Sequence, residues 1–459
     1  MQPLSQLHIE STIQGIFWPS IPSPRASAHL AMQFQMERTQ RLPVQQIRAR
    51  QLQQLEFLCR YASQQVPFYQ TRFQNHKMLS KPLSWETWRS LPCLTRDDIQ
   101  KEGAALLTQK LPPRHGSPFK VSTSGSTGKP VTVWHNDLTT FFWRAFTLRE
   151  HFWHQRKFSG KLAAIRFVET EEAKFPDGLK LNGWGASTDI VLKTGPASIL
   201  TIQTPIDQQA DWLLRENPEY LLTNPTNALA LAQYFRDSGR KLDHLLEVRT
   251  MSETLSPETV QTCKEVWGVE VTDIYSTREV GYIALQCPEH RRYHEQSENI
   301  LVEILRDDGT PCEPGEIGKV VITSLINYAS PIIRYDIGDY AERGPQCSCG
   351  RGLPVIEKIM GRVRNILRLP NGQSNWPVFN YKELEKTVPY RQIQVIQHSL
   401  TQLEVRLVVD EPANKVQEER MQAIIRQAVN SPFDVTFSYL QQIPRTKGGK
   451  YEEFISHVQ

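Results

Sequence analysis

Apolar residues near the start of the chain recur at helical spacing. Between Gln45 and Ala62 several pairs of them lie three or four residues apart, which is typical of one face of an amphipathic helix. The apolar positions of this stretch are Ile47, Leu52, Leu55, Leu58 and Cys59. We therefore predict a helical segment over residues 31–75, preceded by an irregular arm, residues 1–30, that is rich in Pro, Ser and Ile.

After Leu91 the pattern changes to short apolar runs that alternate with helical segments. The predicted strands include Lys161–Phe167, Tyr220–Leu222, Glu270–Tyr275 and Ile300–Leu305. The predicted helices include Gln208–Glu216, Ala228–Asp237 and Pro257–Trp267. Such alternation indicates an α/β fold. We expect a large N-terminal domain, residues 1–360, that is built on parallel-rich sheets.

A smaller unit follows Gly361. Its predicted strands are Ile393–His398, Leu403–Val409 and a strand near Val435–Tyr439, and its predicted helix is Ala413–Val429. Strands and a helix in this order favour a small α+β domain. We assign residues 361–459 to this C-terminal domain.

Composition excludes several classes of protein. Among the 459 residues, 39% are hydrophobic and 22% are charged, and the chain has 53 basic residues (Lys and Arg) and 49 acidic ones (Asp and Glu). This balance argues against a nucleic-acid or membrane partner, and no apolar run approaches the roughly 20 residues of a membrane span. The N-terminus lacks the pattern of a secretory signal, and seven cysteines do not indicate a disulfide framework. We expect a cytoplasmic protein with reduced thiols.

The densest local motif, residues 122–130, combines glycines, hydroxyl side chains and a lysine. Glycines let backbone N–H groups turn towards an anion, and hydroxyls and a lysine add to such a site. The candidate phosphate-binding residues are Ser122, Thr123, Ser124, Gly125, Ser126, Thr127, Gly128 and Lys129. A flexible Ser/Gly linker is the alternative interpretation of this stretch alone. The glycine spacing differs from that of the G-x-x-x-x-G-K-[ST] loop.

This motif resembles the phosphate loop of the adenylate-forming superfamily, and four further stretches match that family in the expected order. One is Ile274–Glu279, which resembles the family's aromatic–Gly–x–Thr–Glu segment. The resemblance implies that Tyr275 stacks on adenine and that Glu279 helps to hold Mg²⁺, a cation that prefers oxygen ligands. Ser276 replaces the usual glycine and Arg278 the usual threonine, so Arg278 could meet a phosphate or an acidic substrate.

Two more stretches resemble the family's ribose segment and interdomain hinge. On that pattern, Asp339 accepts hydrogen bonds from both ribose hydroxyls, as a carboxylate can. Arg362 would contact the nucleotide, and Arg364 takes the place of the hinge residue. The resemblance also implies that Ser252 and Glu253 belong to the nucleotide site.

The last matching stretch, residues 443–450, resembles the family's C-terminal lysine loop. The resemblance implies that Lys450 stabilises the charge that builds on the α-phosphate during adenylation. Lys447 is the alternative. A solvated basic tail would be the preferred interpretation if this segment stood alone. With Lys450, Thr127 and Glu279 complete the predicted catalytic set.

Cysteines and histidines in two distant segments could form a zinc site. The predicted ligands are Cys287, His294, Cys347 and Cys349, with His290 as the alternative to His294. Three thiolates and one imidazole would complete a tetrahedral structural site. From the sequence alone, reduced and unpaired cysteines are an equal alternative, because C-x-C is not the commoner spacing.

The branch that the chain resembles most is that of phenylacetate–CoA ligase and its capsular-polysaccharide-type relatives, in which such a cluster often binds zinc. The matches run from "VPFY" at Val66 and "LPCLTRDDI" at Leu91 to "GRVRN" at Gly361. The branch implies an enzyme that uses ATP and Mg²⁺ to convert a small carboxylic acid to an acyl-AMP, with release of pyrophosphate. The acyl group then passes to CoA or to another nucleophile.

Family position places the acyl pocket near four residues. They are Trp184, Gly185, Asn224 and Thr250. Three alternatives stay open at this point: a ligase that forms an amide or an ester without CoA, a homologue that binds ligand without catalysis, and a zinc-dependent regulatory protein. We expect a monomer or a homodimer.

Overall fold

The N-terminal part of the chain is a layer of helices. The computed structural model describes residues 9–73, 82–122, 130–362, 365–375, 377, 379–446 and 450–458. Its first five helices are α1 (Pro24–Thr39), α2 (Val44–Gln65), α3 (Pro67–Arg72), α4 (Trp85–Arg89) and α5 (Arg96–Glu102). The face of α2 predicted to be apolar packs into the core, where Leu55 and Leu58 are fully buried.

Helix α1 begins inside the stretch predicted to be irregular. The Ser23 side chain accepts a hydrogen bond from the backbone N–H of Ala26, and Pro24 occupies the first turn. A serine cap and an early proline both favour a helix start. The prediction of an irregular arm over residues 1–30 is therefore wrong from Pro24 onwards.

A short hairpin precedes the main sheet. Strand β1 (Phe119–Ser122) pairs antiparallel with β2 (Thr132–His135), and α6 (Asp137–Trp153) follows at once. Asn136 caps α6 by accepting a hydrogen bond from the Thr139 backbone, and the Thr139 hydroxyl accepts one in return from the Asn136 backbone. This capping box fixes the entry of α6 beside the hairpin.

Twelve strands of the described chain form one mixed sheet. They are β3 (Leu162–Arg166), β4 (Leu179–Leu181), β5 (Ala197–Thr201), β6 (Tyr220–Thr223), β7 (Glu247–Met251), β8 (Glu270–Thr277), β9 (Gly281–Gln286), β10 (Tyr293–Glu295), β11 (Ile300–Leu305), β12 (Ile317–Ser324), β13 (Tyr335–Arg343) and β14 (Val355–Arg362). Their order is β11-β12-β13-β14-β10-β9-β8-β7-β6-β3-β5-β4. The neighbouring strands from β8 through β7, β6 and β3 to β5 run parallel. Their carboxyl ends therefore share one edge, where ligands bind in α/β sheets.

Helices cover both faces of the parallel strands. On one face, α7 (Ile206–Glu216), α8 (Pro225–Ser238) and α9 (Pro257–Trp267) pack on Ile165, Leu221 and Val248 of the sheet. On the opposite face, Arg249 of β7 meets Glu150 of α6 at 2.6 Å. Because side chains alternate along a strand, the sheet separates an aliphatic layer from a layer that carries charge.

Buried charges join α6 to the sheet. Arg156 donates to Glu247 at 2.7 Å and pairs with Glu150 at 2.6 Å, and all of these side chains are buried. Burial alone would raise the pKa of Glu150, but Arg156 and Arg249 hold that pKa well below its usual value. The network stays ionised and balanced, which offsets the desolvation of its members.

A smaller unit follows β14. Its elements are β15 (Leu367–Arg368), β16 (Ser374–Asn375), α10 (Tyr381–Thr387), β17 (Gln392–Gln397), β18 (Gln402–Val408), α11 (Lys415–Val429), β19 (Asp434–Tyr439) and β20 (Phe454–Ser456). A sheet ordered β19-β18-β17-β20 packs against α11 around Leu407, Met421 and Phe433. The α/β fold with a small C-terminal α+β unit is thus confirmed. Among the residues described, no helix is both long and apolar enough to cross a lipid bilayer.

Candidate active site

A cleft of about 1120 Å³ opens at the carboxyl ends of β6, β7 and β8. Side chains of α6, of β13 and β14 and of the small unit complete its walls. The structure brings together in it ten of the residues predicted from the sequence. They are Asn224, Ser252, Glu253, Tyr275, Ser276, Arg278, Glu279, Asp339, Arg362 and Lys450.

Asp339 is held between an aromatic and a basic side chain. The Tyr275 hydroxyl donates to Asp339 Oδ2 at 2.8 Å, and Arg362 Nε lies 3.5 Å from Asp339 Oδ1. Asp339 and Arg362 face each other across β13 and β14. Burial and the neighbouring carboxylate raise the pKa of Tyr275 well above its usual value, so the phenol remains a donor. The carboxylate is fixed in place with acceptor capacity left for a ligand.

Glu253 anchors the loop that follows β7. It accepts hydrogen bonds from the Asn224 side-chain amide at 3.1 Å and from the Thr226 hydroxyl at 2.7 Å. It also accepts from the backbone N–H of Tyr451 in the small unit, at 2.8 Å. Ser252 adopts a left-handed backbone with φ of +77°, which a residue other than glycine rarely does outside functional loops.

Arg278 and Glu279 follow β8 at the mouth of the cleft. The Arg278 guanidinium donates to the backbone carbonyl of Ser122 at 3.0 Å, so it ties β8 to the end of β1. Glu279 is buried beside it. The predicted phosphate-loop residues Thr123, Ser124, Gly125, Ser126, Thr127, Gly128 and Lys129 lie outside the described residues.

The small unit contributes the side chain of Lys450 to the cleft. Its backbone closes a turn with Thr446, through hydrogen bonds of 3.1 Å and 2.8 Å. In the described part of the chain its side chain has neither a hydrogen bond nor an ion pair. Burial, reinforced by Arg362, lowers the pKa of Lys450. The predicted hinge residue Arg364 and the alternative Lys447 lie outside the described residues.

Three of the predicted acyl-pocket residues do not line the cleft. The Trp184 indole donates to the Gly160 carbonyl at 2.8 Å and packs against Tyr220, and Gly185 follows it in the same loop. The Thr250 hydroxyl is buried beneath the cleft and donates to Asp273 at 2.7 Å. Trp184, Gly185 and Thr250 therefore do not line this cleft, and their assignment to the acyl pocket stays a prediction.

Other side chains that the sequence analysis missed form the wall on the α6 side. Thr139, Trp143 and Phe146 line the cleft at helical spacing, and the Trp143 and Tyr282 rings lie 4.6 Å apart. Arg166 lines the cleft at the end of β3. The spacing along α6 was a detectable signal, whereas the position of Arg166 depends on the order of strands in the sheet.

A separate cluster of thiols and one imidazole lies beside β9 and β10. The ligand atoms of Cys287, His294, Cys347 and Cys349 all lie within 4.8 Å of one another. The Cys287 and Cys347 sulfurs are 4.0 Å apart, and Cys349 Sγ is 3.3 Å from His294 Nε2. Soft sulfur ligands with one imidazole are the donor set of a structural zinc site.

Distances to the sulfurs distinguish the two candidate histidines. His294 Nδ1 lies 3.4 Å from the Leu353 carbonyl, which orients Nε2 towards the sulfurs. His290 contacts Cys347 Sγ at 3.4 Å through Nδ1, and its Nε2 is paired with the Ser348 hydroxyl at 3.0 Å. The group whose ligand atoms all lie within 4.8 Å of one another includes His294 but not His290, so this geometry favours His294 as the ligand.

Comparison with known proteins finds relatives that include phenylacetate–coenzyme A ligases and protein CapK. A family model described as the CapK C-terminal domain matches residues 379–457, within the small unit. The chain is 26% identical over 444 residues to a phenylacetate-coenzyme A ligase of Thermus thermophilus, covering 89% of this chain and 96% of that protein. It is 22% identical to protein CapK of Staphylococcus aureus, with 89% of each chain covered.

Solved structures share the fold. A 2-hydroxyisobutyryl-CoA ligase in the postadenylation state, with 2-HIB-AMP bound, superimposes with a TM-score of 0.72 at 18% identity, covering 92% of this chain and 91% of that one. The same ligase in the thioesterification state gives a TM-score of 0.58. The sequence relatives span nearly the whole chain, and the family model matches the small unit. These relatives and the family model together support a place for the chain in the adenylate-forming superfamily, in the branch of phenylacetate–CoA ligase and CapK.

Proposed function

We propose that this chain is an AMP-forming acid–CoA ligase, which activates a carboxylic acid with ATP and transfers the acyl group to CoA. The observation that carries the proposal is that Tyr275, Glu279, Asp339 and Lys450, from segments far apart in the sequence, border one cleft. Relatives named as phenylacetate–coenzyme A ligases support a carboxylic acid and CoA as the substrates.

The nucleotide would lie along the carboxyl end of β8. The Tyr275 ring offers adenine a stacking surface, while its hydroxyl keeps Asp339 oriented for the two ribose hydroxyls. Arg362 holds the other carboxylate oxygen, so ribose binding would need little rearrangement. This preorganisation reduces the entropy lost when the nucleotide binds.

In the first half-reaction a substrate carboxylate oxygen attacks the α-phosphorus of ATP. The bond from that phosphorus to the bridging oxygen breaks, and pyrophosphate leaves with the electron pair. The Lys450 ammonium enters the cleft without a competing partner, so it is available to the oxygens on which negative charge develops. Electrostatic stabilisation of this kind needs no reorientation during the reaction.

Glu279, together with the predicted Thr127, is suited to hold Mg²⁺ beside the phosphates. A cation bound there would neutralise part of the negative charge of the phosphates. Lys129 and the other hydroxyls of the predicted loop would serve the same phosphates. Arg278 ties the start of this loop to β8, which supports a position of the loop over the nucleotide.

In the second half-reaction the thiolate sulfur of CoA attacks the acyl carbonyl, and AMP leaves. For this step Lys450 must withdraw, and we propose that the small unit rotates about Arg364. Polar contacts between the units support a breakable junction, such as Glu253 with the backbone of Tyr451 and Arg445 with Thr226 at 3.2 Å. Hinge motions of this type are common where one cleft serves two steps.

The cluster of Cys287, His294, Cys347 and Cys349 is proposed to hold a structural Zn²⁺. Its ligands join β9, β10 and the loop after β13; β9 is the neighbour of β8 in the sheet, and β10 lies next to β9. Bound zinc would crosslink these segments and so support the position of the cleft. The cluster contributes no residue to the cleft itself.

Acid-dependent exchange of pyrophosphate into ATP tests the proposed activity. Lys450→Ala should lower the exchange rate by about 100-fold or more, the scale of a lost transition-state contact. The exposed Lys415→Ala should change nothing and serves as the control. Full exchange in Lys450→Ala, or no exchange by the wild type with any carboxylic acid, would contradict the proposal.

A further inference from the structure

One row of side chains crosses the floor of the cleft from strand to strand. Ala164 pairs with Leu222, Thr223 with Thr250, and Met251 with Ile274. Extending the β3–β6 pairing by two residues and the β6–β7 pairing by one brings four cleft-lining residues side by side. They are Arg166 on β3, Asn224 after β6, Met251 on β7 and Ile274 on β8. The row therefore runs from a cation, over an amide, to two apolar side chains.

Arg166 has no partner of its own. Its guanidinium makes no hydrogen bond and no ion pair with any residue that the structure describes, although its backbone carbonyl accepts from Ile202 at 3.0 Å. The Arg166 side chain is exposed, so a ligand that enters the cleft can reach it. An arginine without a counterion in a cleft is suited to receive an anionic group from a ligand.

Three carboxylates of the cleft are held by other partners. Glu253 accepts from Asn224, Thr226 and Tyr451, and Asp339 is taken by Tyr275 and Arg362. Asp273 accepts from Thr250 and Tyr293. None of these pairs includes Arg166, so its charge is available to a ligand.

Distance separates Arg166 from the phosphates. Three inter-strand spacings, or about 14 Å, lie between β3 and β8, where the nucleotide would bind. Cations for the phosphates, Lys450 and Arg362, already lie at the β8 end. Between the two ends the floor is apolar at Met251, and Phe146 of α6 faces the same space.

We propose that the acid which this enzyme activates carries a second anionic group, and that Arg166 binds it. The substrate class is an extended dicarboxylic acid, longer than oxalate or malonate, with an aliphatic or aromatic spacer. Its reacting carboxylate lies near Lys450, its spacer lies over Met251, and its far carboxylate forms a two-point pair with Arg166. This inference rests on the proposed ligase function.

Pyrophosphate exchange with α,ω-dicarboxylic acids and their monomethyl esters tests the proposal. The wild type should prefer the diacid over the matched half-ester by at least about 10-fold in kcat/KM, the scale of a charge-assisted hydrogen bond. Arg166→Leu should remove that preference, and Arg166→Lys should restore part of it. The surface variant Arg240→Leu should behave as the wild type does.

Three outcomes would overturn this assignment. They are equal use of diacids and half-esters by the wild type, unchanged preference in Arg166→Leu, or a rise in the KM for CoA alone, which would assign Arg166 to the phosphates of CoA. Calorimetry measures binding of the diacid without any reaction. It therefore tests the Arg166 site separately from the proposed ligase activity. Loss of binding in Arg166→Leu supports the site even if exchange fails, and equal binding contradicts it.

Discussion

Glu453 should make the stability of the protein depend on pH near neutrality. It lies in the small unit at its contact with the large one and lines the cleft. Burial, together with the nearby carboxylates of Glu258 and Glu253, raises its pKa to about 7, and a hydrogen bond with Tyr381 opposes this only in part. The folded protein therefore prefers Glu453 protonated.

The size of this effect on the free energy of unfolding follows from the change in the pKa of Glu453 on folding. An ordinary glutamate has a pKa of 4.5, and the folded value is about 7. Each unit corresponds to about 1.4 kcal/mol of free energy, and the side chain is only half-buried. We therefore expect about 1–3 kcal/mol. Because the folded pKa is the higher one, this stability is complete below pH 4.5 and is lost as the pH rises through 7.

Glu453→Gln removes the charge and keeps the shape. The variant and the wild type should have similar free energies of unfolding at pH 5. At pH 8 the variant should be more stable by about 1–3 kcal/mol, because it has no carboxylate to ionise among Glu258 and Glu253. Urea denaturation at pH 5, 6.5 and 8 measures the difference, and exposed Glu411→Gln is the matched control.

The reasoning would be refuted by a Glu453→Gln protein whose stability difference from the wild type is constant between pH 5 and pH 8. A variant that is less stable than the wild type at pH 8 would refute it too. Either result would mean that Glu453 is ionised in the folded protein at neutral pH.

Three further changes test other parts of the structure. Tyr275→Phe keeps the ring but removes the hydrogen bond to Asp339, so the KM for ATP should rise about 3- to 10-fold in steady-state assays. Cys349→Ser should lower bound zinc, measured by elemental analysis, together with the melting temperature, and unchanged values of both would contradict a metal site. Arg156→Leu leaves the buried Glu247 without its arginine and leaves Glu150 with Arg249 alone, so it should reduce the unfolding free energy by about 3–5 kcal/mol, measured by urea denaturation.

The nucleotide site was the most predictable part of the molecule. Tyr275 ends a strand whose apolar pattern is visible in the sequence, and Asp339 lies in a strand that follows another such run. For Tyr275 the reason is that parallel strands bring their carboxyl ends to one edge, whereas Asp339 lies in the antiparallel part of the sheet and was identified by its resemblance to the family's ribose segment. Asn224, which family position had assigned to the acyl pocket, follows β6 and lies at the same edge.

Features that depend on long-range packing were not predictable from local patterns. Trp184 follows a strand-like stretch, but its ring fills a gap between Gly160 and Tyr220 that only the folded chain creates. The open position of Arg166 depends on β3 lying between β5 and β6, out of sequence order. The start of α1, in contrast, was marked by Ser23 and was overlooked.

A crystal structure with a non-hydrolysable ATP analogue tests the central claim most directly. The account predicts adenine against the ring of Tyr275 and both ribose hydroxyls at hydrogen-bond distance, about 2.5–3.0 Å, from the Asp339 carboxylate. It also predicts the Lys450 ammonium on the α-phosphate side. A nucleotide bound away from Asp339, or in the cleft without contact to it, would contradict the account.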